Sequence, residues 1–225
     1  MAYLSACKSK GDSSRTLENR RVRALAFLKH AGLKPLIPIP SIRFTPPKPE
    51  SYTQPEVNAL MSASTTDRDR LLWTAYLQSG FRMQEMMFLR FQDVLDHGLA
   101  IRAHDEFQPK THEERVVHTP KSLIEALRQL HPIGGSDLVF PTERGTVNWH
   151  QLRTLKRTAK RAGIPEEKVW LHKWRATFAT RLLRGGLDVR EVSRQLGHQN
   201  LKTTLRYLAA MDDGTLSSKI ETIWQ

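Results

Sequence analysis

The chain has 225 residues, 39% of them hydrophobic, and 35 Lys plus Arg against 23 Asp plus Glu leave a formal charge of +12. That length suits one substantial domain with a small appendage. No run approaches the roughly 20 apolar residues of a membrane helix, the opening residues do not read as a secretory leader, and a single cysteine excludes an intrachain disulfide or a cysteine-cluster zinc site. Cys7 is expected as an inert surface thiol, and the protein as cytoplasmic with no membrane partner.

The charge is uneven along the chain. Residues 1–50 carry ten basic and three acidic residues, 51–148 ten and thirteen, 149–207 fourteen and four, and 208–225 one and three. Two basic blocks around a near-neutral one suit a polyanion held from two sides, because clustered Lys and Arg attract phosphates and release their counterions.

Residues 13–32 read as a short basic amphipathic helix, with Leu17, Val22, Leu25 and Leu28 near helical spacing and nothing evident to pack on. Six prolines between 35 and 49 deny helix hydrogen bonds and mark a linker. A domain then starts near residue 50, where Thr53-Gln54-Pro55-Glu56 forms a capping box ahead of Val57, Leu60 and Met61. A helix over 67–78 places Leu71, Leu72, Ala75 and Tyr76 on a core face, Ser79-Gly80 breaks it, and Arg82 stands at the restart of a helix over 83–89. Residues 99–103 and 115–119 read as short strands joined by a polar turn containing Lys110.

Helices follow at 121–131, 149–162, 173–184, 188–196, 201–210 and 213–224, with a short strand expected at 138–140. The fold class is therefore mainly α with a small antiparallel sheet (α+β). On the 149–162 helix, Arg153, Lys156, Arg157, Lys160 and Arg161 fall on one side and Leu152, Leu155, Ala159 and Ala162 on nearly the opposite one. Five cations without an interleaved acid repel one another, so that side is expected to face a phosphate backbone.

His172 and Arg175, three apart on one helix face, offer an imidazole and a guanidinium to a shared anion. Such a pair alone is more often a surface pair than a site. His198 follows Gly197 at a helix end, where a capping histidine is ordinary, and Tyr207 on an amphipathic helix is ordinarily core. The conjunction carries more than its parts. Gly80-Phe81-Arg82-Met83-Gln84-Glu85, then Lys110 with Arg115 five residues on, His172-x-x-Arg175, Leu196-Gly197-His198, and Tyr207 nine residues later resemble the tyrosine recombinase (phage integrase) family in order and spacing. The resemblance covers about residues 50–224 and is densest over 171–208. Phe81 stands where the family usually has leucine, and Lys173-Trp174 where it has Asp-Leu.

What the resemblance implies is a DNA breaking-rejoining catalytic domain over 50–212, acting on duplex DNA without cofactor, metal or small-molecule substrate, in a homotetramer on synapsed sites within the nucleoid. Tyr207 resembles the nucleophile that becomes joined to a 3′-phosphate. Arg82 and Arg175 resemble the clamps on the scissile phosphate, Lys110 the general acid, His172 the residue that helps remove the tyrosine proton, and His198 a further phosphate donor. Glu85 matches an acidic residue that orients the first arginine. Elementary chemistry agrees: breaking a phosphodiester without a metal needs a nucleophile, cations for the non-bridging oxygens and an acid for the leaving oxygen. Lys173 and Lys202 join the helix 149–162 cations as expected DNA contacts.

Residues 1–34 are expected to be the remnant of an N-terminal helical core-binding domain, 35–49 the linker, and 213–225 a C-terminal helix whose Leu216, Ile220, Ile223 and Trp224 dock on their own domain or on a neighbouring protomer. Two other activities stay open at this stage: a DNA-binding remnant that occupies recombination sites without cutting, and relaxation of DNA like that of a type IB topoisomerase.

Overall fold

A computed structural model describes residues 2–211 and 221, apart from 36, 37, 46, 105, 111 and 112. The chain divides into two compact units, Met1–Pro47 and Lys48–Gln225. Among the described residues no helix is long and apolar enough to cross a membrane. The helix expected over 213–224 lies outside the described residues.

The first unit holds α1 (Ala2–Ser9) and α2 (Ser14–His30), the latter opened by Ser13, whose side chain accepts from Thr16 N. The sequence pattern did not reveal α1, and α1 corrects the expectation that the second helix lacks a partner: Cys7 and Leu17 are both buried. Cys7 is therefore not a surface thiol; Arg20 Nη1 donates to its Sγ at 2.9 Å. Glu18 accepts from Arg21 and from the backbone of Ile42, which ties the extended segment to α2. Those contacts hold the Glu18 carboxyl down at about 2.

The second unit opens with α3 (Gln54–Ser62), whose Thr53–Glu56 capping box is complete, followed by α4 (Asp67–Ser79). Gly80 ends α4 with φ +61°, and a Cβ there would lie 2.3 Å from the Phe178 ring. Only glycine meets both demands. Next come α5 (Met83–Met87) and a three-stranded antiparallel sheet of β1 (Val94–Leu95), β2 (Gly98–Ile101) and β3 (Arg115–His118). The register sets Leu99 opposite Val117 and Ile101 opposite Arg115. β1 is too short to show as alternation. β2 stops before residue 103 because the Ala103 N–H is taken by the Glu114 side chain.

Then follow α6 (Lys121–Arg128), α7 (Gln151–Arg161), α8 (Leu171–Arg184), α9 (Val189–Leu196) and α10 (Leu201–Leu208). The strand expected at 138–140 is a single bridge, Arg90 to Leu138, because its partner segment winds into a 3-10 turn at Phe91–Asp93. The core is centred on α4 and α8, where the Trp73 and Trp174 rings stack 6.5 Å apart and Tyr52 tilts onto Trp174 at 4.6 Å. Truncating either tryptophan to alanine is worth about 3–5 kcal/mol. This packing fixes the first turn of α8, and with it His172 and Arg175, against the α4–α5 break that carries Arg82.

Candidate active site

Arginines from three segments converge on one carboxylate, Glu85. Arg82, at the N-cap of α5, donates its backbone N–H to Glu85 Oε2 at 2.8 Å and its Nη1 to Oε1 at 2.7 Å. Arg115, at the start of β3, sends Nη2 to both oxygens at 3.0 Å. Arg175, one turn into α8 and almost fully buried, holds Nη1 at 4.0 Å from Oε2. The same Nη1 donates to Gly80 O at 2.7 Å, and Nη2 donates to Leu196 O. Arg82 Nη2 reaches Gly197 O at 3.4 Å. The α4–α5 break and the α9–α10 turn are thus pinned to the same guanidinium groups.

Three guanidinium groups share one carboxylate, so the cluster carries excess positive charge in a partly dry place, where charge is costly unless countered. Its titration behaviour reflects this. Burial, then the Arg82 charge, pushes the Arg175 guanidinium down to about 9. Burial and the neighbouring arginines lower Arg115 as well, with Glu85 pulling the other way. For Glu85, burial acts upward, yet Arg115, the Arg82 backbone and side chain and Arg175 together hold the carboxyl below its ordinary value. An incoming anion would relieve every one of these cationic shifts.

The turn after α9 supplies His198. Gly197 takes φ +61° as the C-cap, and the His198 backbone N–H closes onto Ser193 O at 3.1 Å. The ring shares a hydrogen bond between Nδ1 and Thr204 Oγ1 at 2.8 Å and lies parallel to Tyr207, 6.2 Å between centroids. Desolvation first, then the charges of Arg175, Arg82, His172 and Arg115, drives His198 down to about 3. The ring is therefore neutral at physiological pH.

Tyr207 sits three residues after Thr204 on α10 and is only 4% exposed. Burial raises its phenol above the ordinary value, while Arg175, Arg206 and Arg82 pull it down. His172, on the first turn of α8, is lowered by desolvation and by the charges of Arg175, Arg82 and Lys110. Lys110 is exposed in the β2–β3 connection, and its charge acts on His172. Arg82, Lys110, His172, Arg175, His198 and Tyr207 are brought together, from residues as far as 125 positions apart in the chain.

Three features of the expected DNA face differ. Lys173 is not at the site: it is buried, with Nζ 3.1 Å from Lys168 O, 3.6 Å from Glu56 Oε1 and 4.4 Å from the centre of the Tyr52 ring. It lies beside His172 in sequence, but one helical step of 100° turns it toward α3. Arg161 bonds Ala63 O and Thr158 Oγ1, anchoring α7 to the end of α3. Leu152, expected on the packed side of α7, is 37% exposed, and Gln151, Leu155, Thr158 and Ala159 form the packed stripe instead. Arg153, Arg157 and Lys160 are exposed, Lys156 is half-buried, and Lys202 is exposed on the first turn of α10. Arg115 escaped the sequence reading of roles, since nothing local distinguishes an arginine at the head of a short strand; only its distance from Lys110 drew notice.

The comparisons with known proteins agree on one group. A model of the phage integrase family matches residues 50–213. A tyrosine recombinase XerA of Thermococcus kodakarensis is 33% identical over 223 residues, covering 92% of this chain and 75% of that one. A tyrosine recombinase XerD of Proteus mirabilis is 31% identical over 191 residues, covering 75% of this chain and 59% of its own length. Among solved structures, a Tn1549 transposon integrase in complex with transposon right end DNA superposes with a TM-score of 0.74 at 18% identity, over all of this chain and 84% of that one. XerH recombinase in a post-cleavage complex with its difH substrate gives 0.73 at 22% identity, over 99% and 70%. At such identities these two matches speak to the fold.

Proposed function

Because the chain belongs to the phage integrase family, the tyrosine recombinases, we propose that it is a DNA-binding enzyme of site-specific DNA recombination that cuts and rejoins duplex DNA through a Tyr207 3′-phosphotyrosine. The observation that carries this reading is the cationic cluster of Arg82, Arg115 and Arg175 on one carboxylate, set beside a buried tyrosine and a neutral histidine. The excess positive charge of such a cluster favours an anionic partner, and structural relatives are held in complex with DNA.

In this mechanism the Tyr207 hydroxyl oxygen attacks the scissile phosphorus, and the bond from phosphorus to the 5′-oxygen breaks. The tyrosine proton passes toward His172, whose depressed proton affinity keeps it neutral and able to accept. Lys110 donates a proton to the departing 5′-oxygen. Arg82 and Arg175 offset charge on the non-bridging oxygens, which makes a metal unnecessary. With Nδ1 engaged by Thr204, neutral His198 presents Nε2 to the same oxygens. Attack by another 5′-hydroxyl reverses the step and releases Tyr207. Burial of the phenol opposes its ionisation in the free protein, so nucleophile strength would appear only with the phosphate in place.

The cations of α7 and Lys202 extend the surface that would track the duplex backbone. We read residues 50–212 as the catalytic domain, working as a homotetramer on paired DNA sites in the nucleoid. The test is covalent capture on a pool of random duplexes nicked so that the short cleaved strand escapes. Wild-type protein should yield a denaturation-resistant adduct that Tyr207→Phe lacks. Binding without any adduct would instead support a non-cutting occupant of such sites.

A further inference from the structure

Arg115 is built into the cluster more deeply than a simple counter-charge. Its Nη2 serves both oxygens of Glu85, whereas its Nε and Nη1 are buried and, among the described residues, meet no hydrogen-bond acceptor. That second edge lies against Gly197: a Cβ on Gly197 would come within 2.8 Å of Arg115 Cζ, Nε and Nη1. The guanidinium plane is thus held between the Glu85 carboxylate and the Gly197 backbone. Gly197 is the residue whose carbonyl receives Arg82 and whose neighbours are Leu196, which receives Arg175, and His198, which stacks on Tyr207.

We propose that Arg115 is a positioning residue for strand cleavage, a planar wedge that sets Glu85 with one edge and the Gly197-His198 turn with the other, and so holds Arg82, Arg175 and His198 in mutual register. This inference rests on the reading of the site as a DNA-cleaving centre. A rigid guanidinium is needed because one flat group must reach a carboxylate and pack on a Cα at once; a lysine ammonium can do the first but not the second. Arg115 also acts electrically. The groups facing Glu85 are Arg82 on its own helix, Arg115 from β3, Arg175 from α8 and Tyr76 from α4, and among the charges Arg115 pulls the carboxyl down most.

The experiment uses the full chain and the nicked duplex recovered by covalent capture. Wild type, Arg115→Gln and Arg115→Lys are compared for single-turnover adduct formation at saturating protein, for duplex Kd, and for both across pH 5–9. Arg115→Gln should slow adduct formation by about tenfold or more with Kd within about threefold, since positioning is expressed in the chemical step. Its rate should also gain an acidic limb, as Glu85, released from its strongest cation, protonates at higher pH and lets go of Arg82. Arg115→Lys should remove that limb while recovering only part of the rate. A rate and pH profile like wild type in Arg115→Gln overturns the proposal. So does equal slowing in both variants without a moved limb, which is what a purely structural role gives. If Arg115→Gln loses its cooperative thermal transition, Arg115→Lys is read alone, and loss of folding in both makes Arg115 a folding residue and overturns the positioning role. Absence of a wild-type adduct overturns the cleavage reading and this inference with it, whereas a wild-type adduct with indifferent variants overturns this inference alone.

Discussion

The imidazole of His198 lies parallel to the phenol of Tyr207, with 11° between the planes and 6.2 Å between the centroids. The stack is held from the histidine side by the Nδ1 hydrogen bond to Thr204, one turn before Tyr207 on the same helix. The candidate nucleophile and a candidate phosphate donor are thus oriented by a single turn of α10 and the loop before it.

Tyr207→Phe keeps the buried ring and the stack while removing the attacking oxygen. It should abolish the covalent adduct and leave duplex Kd within about twofold of wild type. Gel analysis after denaturation, beside a binding titration, checks this; an adduct of undiminished yield would take Tyr207 out of the mechanism.

Glu85→Gln leaves Arg82, Arg115 and Arg175 without their shared carboxylate. Removing one partner from a buried ionic cluster costs about 3–5 kcal/mol, so the chemical-denaturation midpoint should fall clearly. Added sulfate should recover part of the loss in this variant more than in wild type, because an anion bound beside the arginines offsets charge that the neutral amide no longer offsets. A variant as stable as wild type would mean the arginines do not depend on Glu85.

Stability should decline on the acid side. His198 titrates at about 3 in the folded chain against an ordinary 6.5, so the unfolded chain takes up its proton first as pH falls. Its contribution is whole above about 6.5 and is lost progressively toward pH 3. His172 is shifted the same way, and the lowered Glu85 adds to the decline below its ordinary 4.5. Melting midpoints measured from pH 8 to pH 4 should fall beginning near neutrality, and His198→Asn should flatten the upper part of that curve. Equal slopes for the two proteins would contradict the burial of a neutral ring.

The cations of the 149–162 region should separate by function. Replacing Arg153, Arg157 and Lys160 together with glutamine should weaken duplex binding and reduce the slope of log K against log salt by about 0.9 for each phosphate no longer neutralised. Arg161→Ala should lower the melting midpoint more than it changes that slope, since its guanidinium bonds Ala63 O. Lys173→Met, which keeps the stem among Tyr52 and Trp170, should leave the slope alone. A salt slope that responds to Lys173 would place its ammonium at the DNA after all.

Local pattern was enough for most of the helices. Their periodicity, the Thr53–Glu56 box and the glycines at 80 and 197 are properties of neighbouring residues, and α3 to α10 form within a few residues of where these signals lie. Two elements escaped because they carry little periodic signal: α1, with eight residues, and β1, with two. The 138–140 run had strand composition but no continuous partner, and partnering is decided elsewhere in the chain.

The sequence by itself determined the family: the order and spacing of Arg82, Lys110, His172-x-x-Arg175, His198 and Tyr207 identify it before any coordinate is known. Tertiary structure alone decided how those groups are tuned and which cations belong with them. Arg115 joins the cluster because the β3 register aims it at Glu85, 30 residues away, and Lys173 leaves it because one helical step points it to Glu56 and Tyr52. Cys7 changes from exposed to buried through a helix that forms against another helix. Charge, spacing and side-chain type are written along the chain, whereas burial and the identity of a counter-ion are relations between distant segments, and they exist only once the chain has folded.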